Sequence, residues 1–227
     1  MINLLVGWHS SIFKRRQREM LYCLRKNVRL KYIDNIYLFL EDGTIPLLTS
    51  FSNKMKYVNV KHRMTYRDYF DFINNNCSDD YNIISNSDIF FNETIAKILE
   101  IPMENRCIAL SRHEWDMDKE EIVLAKKRHT GNDVWIFKGS VNIKNCGFFL
   151  GLSGCDLRMN YELINNGYDI LNICDDICIF HVHKVNGENT HRHSEPVDGP
   201  YIRVKHISYE EIKDGKNNCR NWYKSQW

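Results

Sequence analysis

The chain has 227 residues, of which 43% are hydrophobic and 26% charged; that is ordinary for a globular protein and too apolar for a disordered one. Lys and Arg number 31 against 29 Asp and Glu, so the strongly basic balance of a dedicated nucleic-acid binder is missing. No apolar run approaches the ~18 residues of a membrane span. The opening Met1–Gly7 has neither the basic flank nor the apolar length of a signal peptide. The cysteines, at 23, 77, 107, 146, 155, 174, 178 and 219, form no CxxC pair and read as free thiols of a cytoplasmic protein.

Ile2–Val6 is a continuous apolar run that predicts a buried strand. A basic helix follows over Phe13–Lys26, with Phe13, Met20, Leu21 and Leu24 on one face and Lys14, Arg15, Arg16 and Arg18 outward. Ile33–Leu40 is a second strand, stopped by Glu41-Asp42-Gly43. Strand, helix, strand predicts a parallel sheet packed between helices. Further strands are expected at 57–60, 81–84, 107–110, 134–137, 147–152, 170–173 and 177–183. Helices are expected over 66–74, after Asn92 with Ile95, Ile98 and Leu99 inward, and over 159–165 with Gly167 just past its end. Residues 114–132 read as a charged surface excursion, and 184–200 as a polar, His-rich loop. One α/β domain over 1–205 and a loose C-terminal tail over 206–227 fit this order.

Several places carry groups suited to chemistry. Ser85-Asn86-Ser87-Asp88 closes the strand over 81–84. Asn86 and Asp88 are two apart and share a side in extended chain. Ligands of open α/β sheets bind beyond the carboxyl ends of strands, where a carboxylate can hold a divalent cation and, through it, phosphate. A turn before a helix accounts for the same residues. Gly151-Leu152-Ser153-Gly154-Cys155-Asp156 sets an acid near a helix N-terminus, where its charge is favoured; it suits a general base toward a hydroxyl or a simple cap.

His181-Val182-His183 continue a strand, so the two rings point to opposite faces and one meets a given metal; one packed and one exposed histidine is the plain alternative. His191 and His193 lack the Cys partners of a structural zinc site. Arg112, just past a strand, is placed for a diphosphate or for a surface ion pair. Asp133 before Val134-Trp135-Ile136-Phe137 joins an acid to rings that suit a sugar, although Trp135 and Phe137 read equally well as core. Lys14-Arg15-Arg16-Gln17-Arg18 is a solvated face, or the source of one phosphate-binding arginine.

Taken in order, Ser85–Phe91, Ala109-Leu110-Ser111-Arg112, Asp133–Gly139, Gly154–Arg158 with Tyr161-Glu162-Leu163 and Gly167-Tyr168, His181-Val182-His183 and Gly199-Pro200-Tyr201 resemble the GT-A glycosyltransferases. The likeness is to the small N-terminal glycosyltransferase domains of chlorovirus multi-domain capsid-glycan enzymes, and it spans roughly residues 1–205. The resemblance implies a single α/β domain with a GT-A-like (Rossmann-like), mixed, mostly parallel sheet flanked by helices. It implies a nucleotide-sugar donor of the UDP type, Mn²⁺ or Mg²⁺, and inverting transfer of rhamnose or another hexose to a glycan hydroxyl. Asn86-Ser87-Asp88 stand at the DxD-type metal and diphosphate motif. Its first acid is Asn here, which leaves the metal to Asp88 with His181 or His183 and water. Asp156 matches the catalytic base. Gly7, Trp8 and Glu41 would cradle the nucleoside, Asn86 and Arg112 the diphosphate, and Asp133 and Trp135 the sugar.

Two other classes compete. A nucleotidyltransferase is disfavoured by the single glycine of Gly7-Trp8-His9-Ser10-Ser11. A nucleotide-sugar or carbohydrate-binding module without catalysis is favoured by Asn86. Neither a nucleic-acid partner nor a membrane span is expected.

Overall fold

The computed structural model describes residues 1–47, 52–123, 131–182 and 195–214, and the backbone of 222–225. β1 (Ile2–Trp8) is buried almost along its whole length, as a strand must be when both faces of its sheet are covered. α1 (Lys14–Arg29), β2 (Asn35–Leu40), β3 (Met55–Asn59), α2 (Tyr66–Asn76), β4 (Tyr81–Ser85) and β5 (Ile89–Phe91) follow, then a 3₁₀ helix over Glu93–Glu100. After it come β6 (Arg106–Leu110), β7 (His113–Asp116), β8 (Glu121–Ile122), β9 (Val134–Lys138), α3 (Cys155–Asn165), β10 (Asp169–Leu171), β11 (Ile179–His181), β12 (Tyr201–Val204), α4 (Tyr209–Lys213) and β13 (Trp222–Ser225).

The main sheet has the order β10-β6-β9-β4-β1-β2-β3. Every neighbouring pair is parallel except those of β9, which runs antiparallel to β4 and β6. The chain steps outward from β1 to β2 and β3, then returns to pair β4 with the other side of β1. That reversal is a switch point, and in open α/β sheets the ligand crevice lies at such a point, here where β1 and β4 end. One face of the sheet packs Met20 and Leu24 of α1, and the other packs Tyr66, Tyr69, Phe70 and Ile73 of α2. Thr65 and Asp68 close a reciprocal cap at the start of α2, satisfying two of its orphan backbone donors.

Several expectations are corrected. Residues 147–152 form a loop instead of a strand, because carbonyls in and just before it serve other groups. Tyr66 N and Arg67 N of the first turn of α2 donate to Phe148 O and Cys146 O, and Arg63 Nη2 donates to Leu150 O. Leu99 is 53% exposed; the three-residue turn of a 3₁₀ helix puts Ile95 and Ile98 on one face and rotates Leu99 off it. The excursion over 114–132 contains β7 and β8, which join a second sheet, β5-β11-β7-β8. Nor is the segment after 205 loose in its described part: Ile207, Tyr209 and Ile212 belong to the core, and β13 pairs antiparallel with β12.

Arg158 of α3 fastens the returning chain. Its Nη1 donates to Asp198 O (2.8 Å) and Gly199 O (2.9 Å), and its Nε and Nη2 to Glu162 Oε1 (2.9 and 2.6 Å). Glu162 is 1% exposed. Arg158→Ala should therefore cost about 3–5 kcal/mol, the effect of stranding a buried charge, seen as a lower urea midpoint. A cost under about 1 kcal/mol would mean that the change does not strand the Glu162 carboxylate.

Candidate active site

The parallel strands end along one edge. Trp8 ends β1, Glu41 follows β2, Asn86-Ser87-Asp88 follow β4, and Ser111-Arg112 follow β6. β9 runs the other way, so Asp133, just before its start, reaches the same edge; Val134 pairs with both Ser85 and Leu110.

Asp88 is held from three sides. Residues 86–89 make a turn, with Ile89 N donating to Asn86 O, so the alternation of an extended strand does not apply and Asn86 and Asp88 diverge. Asp88 O accepts from Val182 N (2.9 Å). The adjoining β5 is pinned by Asn27 of α1, whose side chain donates to Ile89 O and accepts from Phe91 N, both at 3.0 Å. The Asp88 carboxylate then meets Arg16 Nη1 at 2.7 Å and His181 Nε2 at 3.0 Å, both through Oδ2. Burial alone would raise its pKa, but His181 and Arg16 hold it well below the usual carboxylate range. His181 Nδ1 lies 2.9 Å from Glu114 Oε2. Burial would lower the imidazole, yet Asp88 and Glu114 hold it up at about 9.

The chain of charge continues past Glu114. Arg112 Nε donates to Glu114 Oε1 and its Nη1 to Asp133 Oδ1, each at 2.8 Å. Positive and negative groups thus alternate from Arg16 through Asp88, His181, Glu114 and Arg112 to Asp133. Next to Asp133 stands Asp156, in the first turn of α3. Burial and the charge of Asp133 raise the Asp156 pKa, while backbone N–H groups of Leu157 and Asn132 restrain the rise. A carboxylate made more basic yet kept at a helix N-terminus suits proton abstraction near neutral pH.

At the β1–β2 end, Glu41 Oε1 accepts from Met64 N (3.0 Å) and Glu41 Oε2 is 3.7 Å from His9 Nδ1. Glu41 Oε1 and Tyr69 Oη pack against Gly7, 2.8 and 2.9 Å from where a Cβ would lie. Asn86 turns toward the loop before α3, its Oδ1 3.3 Å from the corresponding point on Gly151, a residue at φ +79°. Arg63 Nη2 donates to Leu150 O in the same loop (2.8 Å).

Asp88, His181, Arg112, Asp133 and Asp156 are therefore brought together, with Asn86, Gly7 and Glu41 along the same edge. Trp8 and Trp135 are each 1% exposed; their rings belong to the core and present no face to a nucleoside or sugar. Arg112 spends Nε and Nη1 on two carboxylates, which makes it a link between the halves of the site. His183, His191 and His193 lie outside the described residues. Arg16 turns inward from the basic run, and Glu114 lies in a segment read as surface. The sequence signal for Arg16 was its charge run after the first strand; nothing local marked Glu114 as a partner of His181.

Asp88 and His181 fit a divalent cation on condition that the ion displaces the proton that Asp88 and Glu114 hold on the imidazole, since a ligating ring nitrogen must be deprotonated. Asp88 Oδ1 is buried without a hydrogen-bond partner, and the 3.0 Å between Oδ2 and Nε2 is about the spacing of neighbouring ligands on one ion, given ligand bonds of roughly 2.0–2.2 Å. A second cluster, Cys174, Asp175 and His206, gathers ligand atoms within 4.8 Å. Cys174 Sγ is 3.6 Å from both ring nitrogens of His206, so neither nitrogen is singled out to share an ion with it.

No protein-family model and no curated protein matches the chain. Among solved structures, it is similar to TarS of S. aureus in complex with UDP-GlcNAc (TM-score 0.52, 12% identity, 86% of this chain and 61% of that one). It is similar also to GalNAc-T7 with UDP, GalNAc and Mn²⁺ (TM-score 0.51, 10% identity, 86% and 46%). A third likeness is the mannosyltransferase PcManGT of Pyrobaculum calidifontis with GDP-Man and Mn²⁺ (TM-score 0.48, 10% identity, 84% and 58%). The chain spans about half to three fifths of the length of these proteins. The first two likenesses show that its fold is the GT-A fold. No helix among the described residues is long and apolar enough to cross a membrane.

Proposed function

We propose that the chain is an inverting glycosyltransferase that moves a hexose from a nucleotide-sugar donor to a hydroxyl of a glycan. The observation that carries this reading is the convergence of Asp88 and Asp156 on one sheet edge, joined through His181, Glu114, Arg112 and Asp133. The crevice at the switch point receives the nucleotide, with Gly7 and Glu41 at the nucleoside. Asp88 and His181 would hold Mn²⁺ or Mg²⁺, which supplies charge neutralisation for the departing diphosphate. Arg16, on the same oxygen of Asp88, adds a positive charge beside that position. Asp133 fixes Arg112 and faces the sugar. Asp156 takes the proton of the acceptor hydroxyl as its oxygen attacks the anomeric carbon, while the bond to the diphosphate breaks on the opposite face. One displacement of this kind inverts the anomeric configuration and forms no covalent sugar–enzyme bond.

A UDP donor and rhamnose as the sugar rest on the likeness to the chlorovirus capsid-glycan domain. The binding module without catalysis draws support from Asn86 in place of the first acid. A thermal-shift screen of UDP-, GDP- and dTDP-sugars with and without Mn²⁺, followed by NMR of the product anomer, separates them. Stabilisation by one donor, enhanced by Mn²⁺, with an inverted product supports the proposal. Stabilisation without turnover, in the presence of Mn²⁺ and glycan acceptors, would favour the module.

A further inference from the structure

Asp156 does not stand alone on its helix. Its Oδ2 accepts from the backbone N–H of Asn132 at 3.2 Å. A Cβ on Gly131 would lie 2.5 Å from that same oxygen, so the carboxylate occupies space that only glycine leaves open. The segment offering this seat is itself pinned. Asn132, 3% exposed, donates from Nδ2 to Ala109 O (2.8 Å) at β6. Its Oδ1 accepts from Asn160 Nδ2 (2.8 Å), which also donates to Ile202 O of β12 (3.1 Å). Asn160 is wholly buried and sits four residues after Asp156, one turn along the same face of α3. Helix α3 thus presents an acid in its first turn and, one turn later, grips the strand entrance on which that acid rests. Asn160 Oδ1 has no partner; turning the amide over would set that oxygen against two acceptors, Asn132 Oδ1 and Ile202 O, and lose both donor bonds.

We propose that Gly131, Asn132 and Asn160 are positioning residues that seat the Asp156 carboxylate for proton abstraction. This rests on the glycosyltransferase reading for what Asp156 does, but not for where it is held. The other groups facing Asp156 are Asp133 at the start of β9, with Arg112 behind it, Cys155 beside it on α3 and Tyr66 of α2. None of them occupies the seat. An alanine methyl at 131 meets the far end of a flexible side chain, so the fold survives and the carboxylate moves. It leaves the Asn132 N–H, and its affinity for a proton rises.

The test uses the full chain with Gly131→Ala and Asn160→Ala. Turnover should fall tenfold to a hundredfold, about what a hydrogen bond to a charged group contributes. Donor KM should stay within about twofold of wild type, and the acidic limb of the kcat/KM profile should move to higher pH. Unchanged turnover and an unchanged limb in both variants would overturn the proposal. Asn160→Ala removes buried hydrogen bonds and can unfold the chain; Gly131→Ala then decides alone. Should wild type transfer no sugar at all, the reading of Asp156 as a base fails. The seat is then decided by carboxyl ¹³C titration of Asp156. A higher midpoint in Gly131→Ala upholds it, and an identical midpoint refutes it.

Discussion

Asp156→Asn should leave donor binding intact and cut transfer by roughly 10²–10⁴, the usual worth of a positioned general base. The amide is nearly isosteric and its Oδ1 can accept the Asn132 N–H, so the seat on the 131–132 backbone stays filled. What is lost is basicity. The wild-type carboxylate is more basic than an ordinary aspartate, because burial and the neighbouring charge of Asp133 both favour its protonated form. The variant is best followed by the donor's thermal shift and by product formation on one sample. A full shift with no product assigns Asp156 to the chemical step. Product at the wild-type rate removes it from the mechanism.

Asp88→Ala should be the most damaging change to the fold at the site. Asp88 is 5% exposed and compensates both Arg16 and His181 through one oxygen. Removing it leaves two positive groups facing each other across a buried gap, at a cost of about 3–5 kcal/mol. His181 then loses the larger of the attractions that keep it protonated, and becomes neutral at lower pH. Mn²⁺-dependent stabilisation by donor should disappear with the carboxylate. Asp88→Asn separates the two effects: it fills the space and keeps a neutral acceptor, so it should fold better than Asp88→Ala yet still lose the Mn²⁺ response. An undiminished Mn²⁺ response in both variants would place the ion elsewhere.

Much of this fold was legible because strong local patterns agree with it. The apolar run at Ile2–Val6, the amphipathic stretch after it and the run at Ile33–Leu40 mark the βαβ opening, and β1, α1 and β2 form there. Short elements were less legible. Ile89–Phe91 and the start of His113–Asp116 pair with β11, which lies between β5 and β7, across many residues of sequence that no local window contains, while the end of His113–Asp116 pairs with β8. Gly147–Leu152 is as apolar as a strand, but Phe148 O is taken by the first turn of α2 and Leu150 O by Arg63. Asp88, Asp133 and Asp156 could be picked out by their places at strand ends and at a helix start. Their connections could not. Arg16 looks like any outward arginine until α1 packs on β5. Arg112 looks like a phosphate ligand until Glu114 and Asp133 claim it. Gly131 carries no signal at all until the Asp156 carboxylate is seen where its side chain would be.

The measurement closest to the central claim is a crystal structure of the chain with Mn²⁺ and the donor chosen by the thermal-shift screen, with the ion located by anomalous scattering. The account predicts the ion against Asp88 and His181, the diphosphate at the ends of β1 and β4, and the anomeric carbon turned toward Asp156 with room for a hydroxyl between them. An ion bound away from Asp88, or a sugar whose anomeric carbon faces away from Asp156, would contradict it.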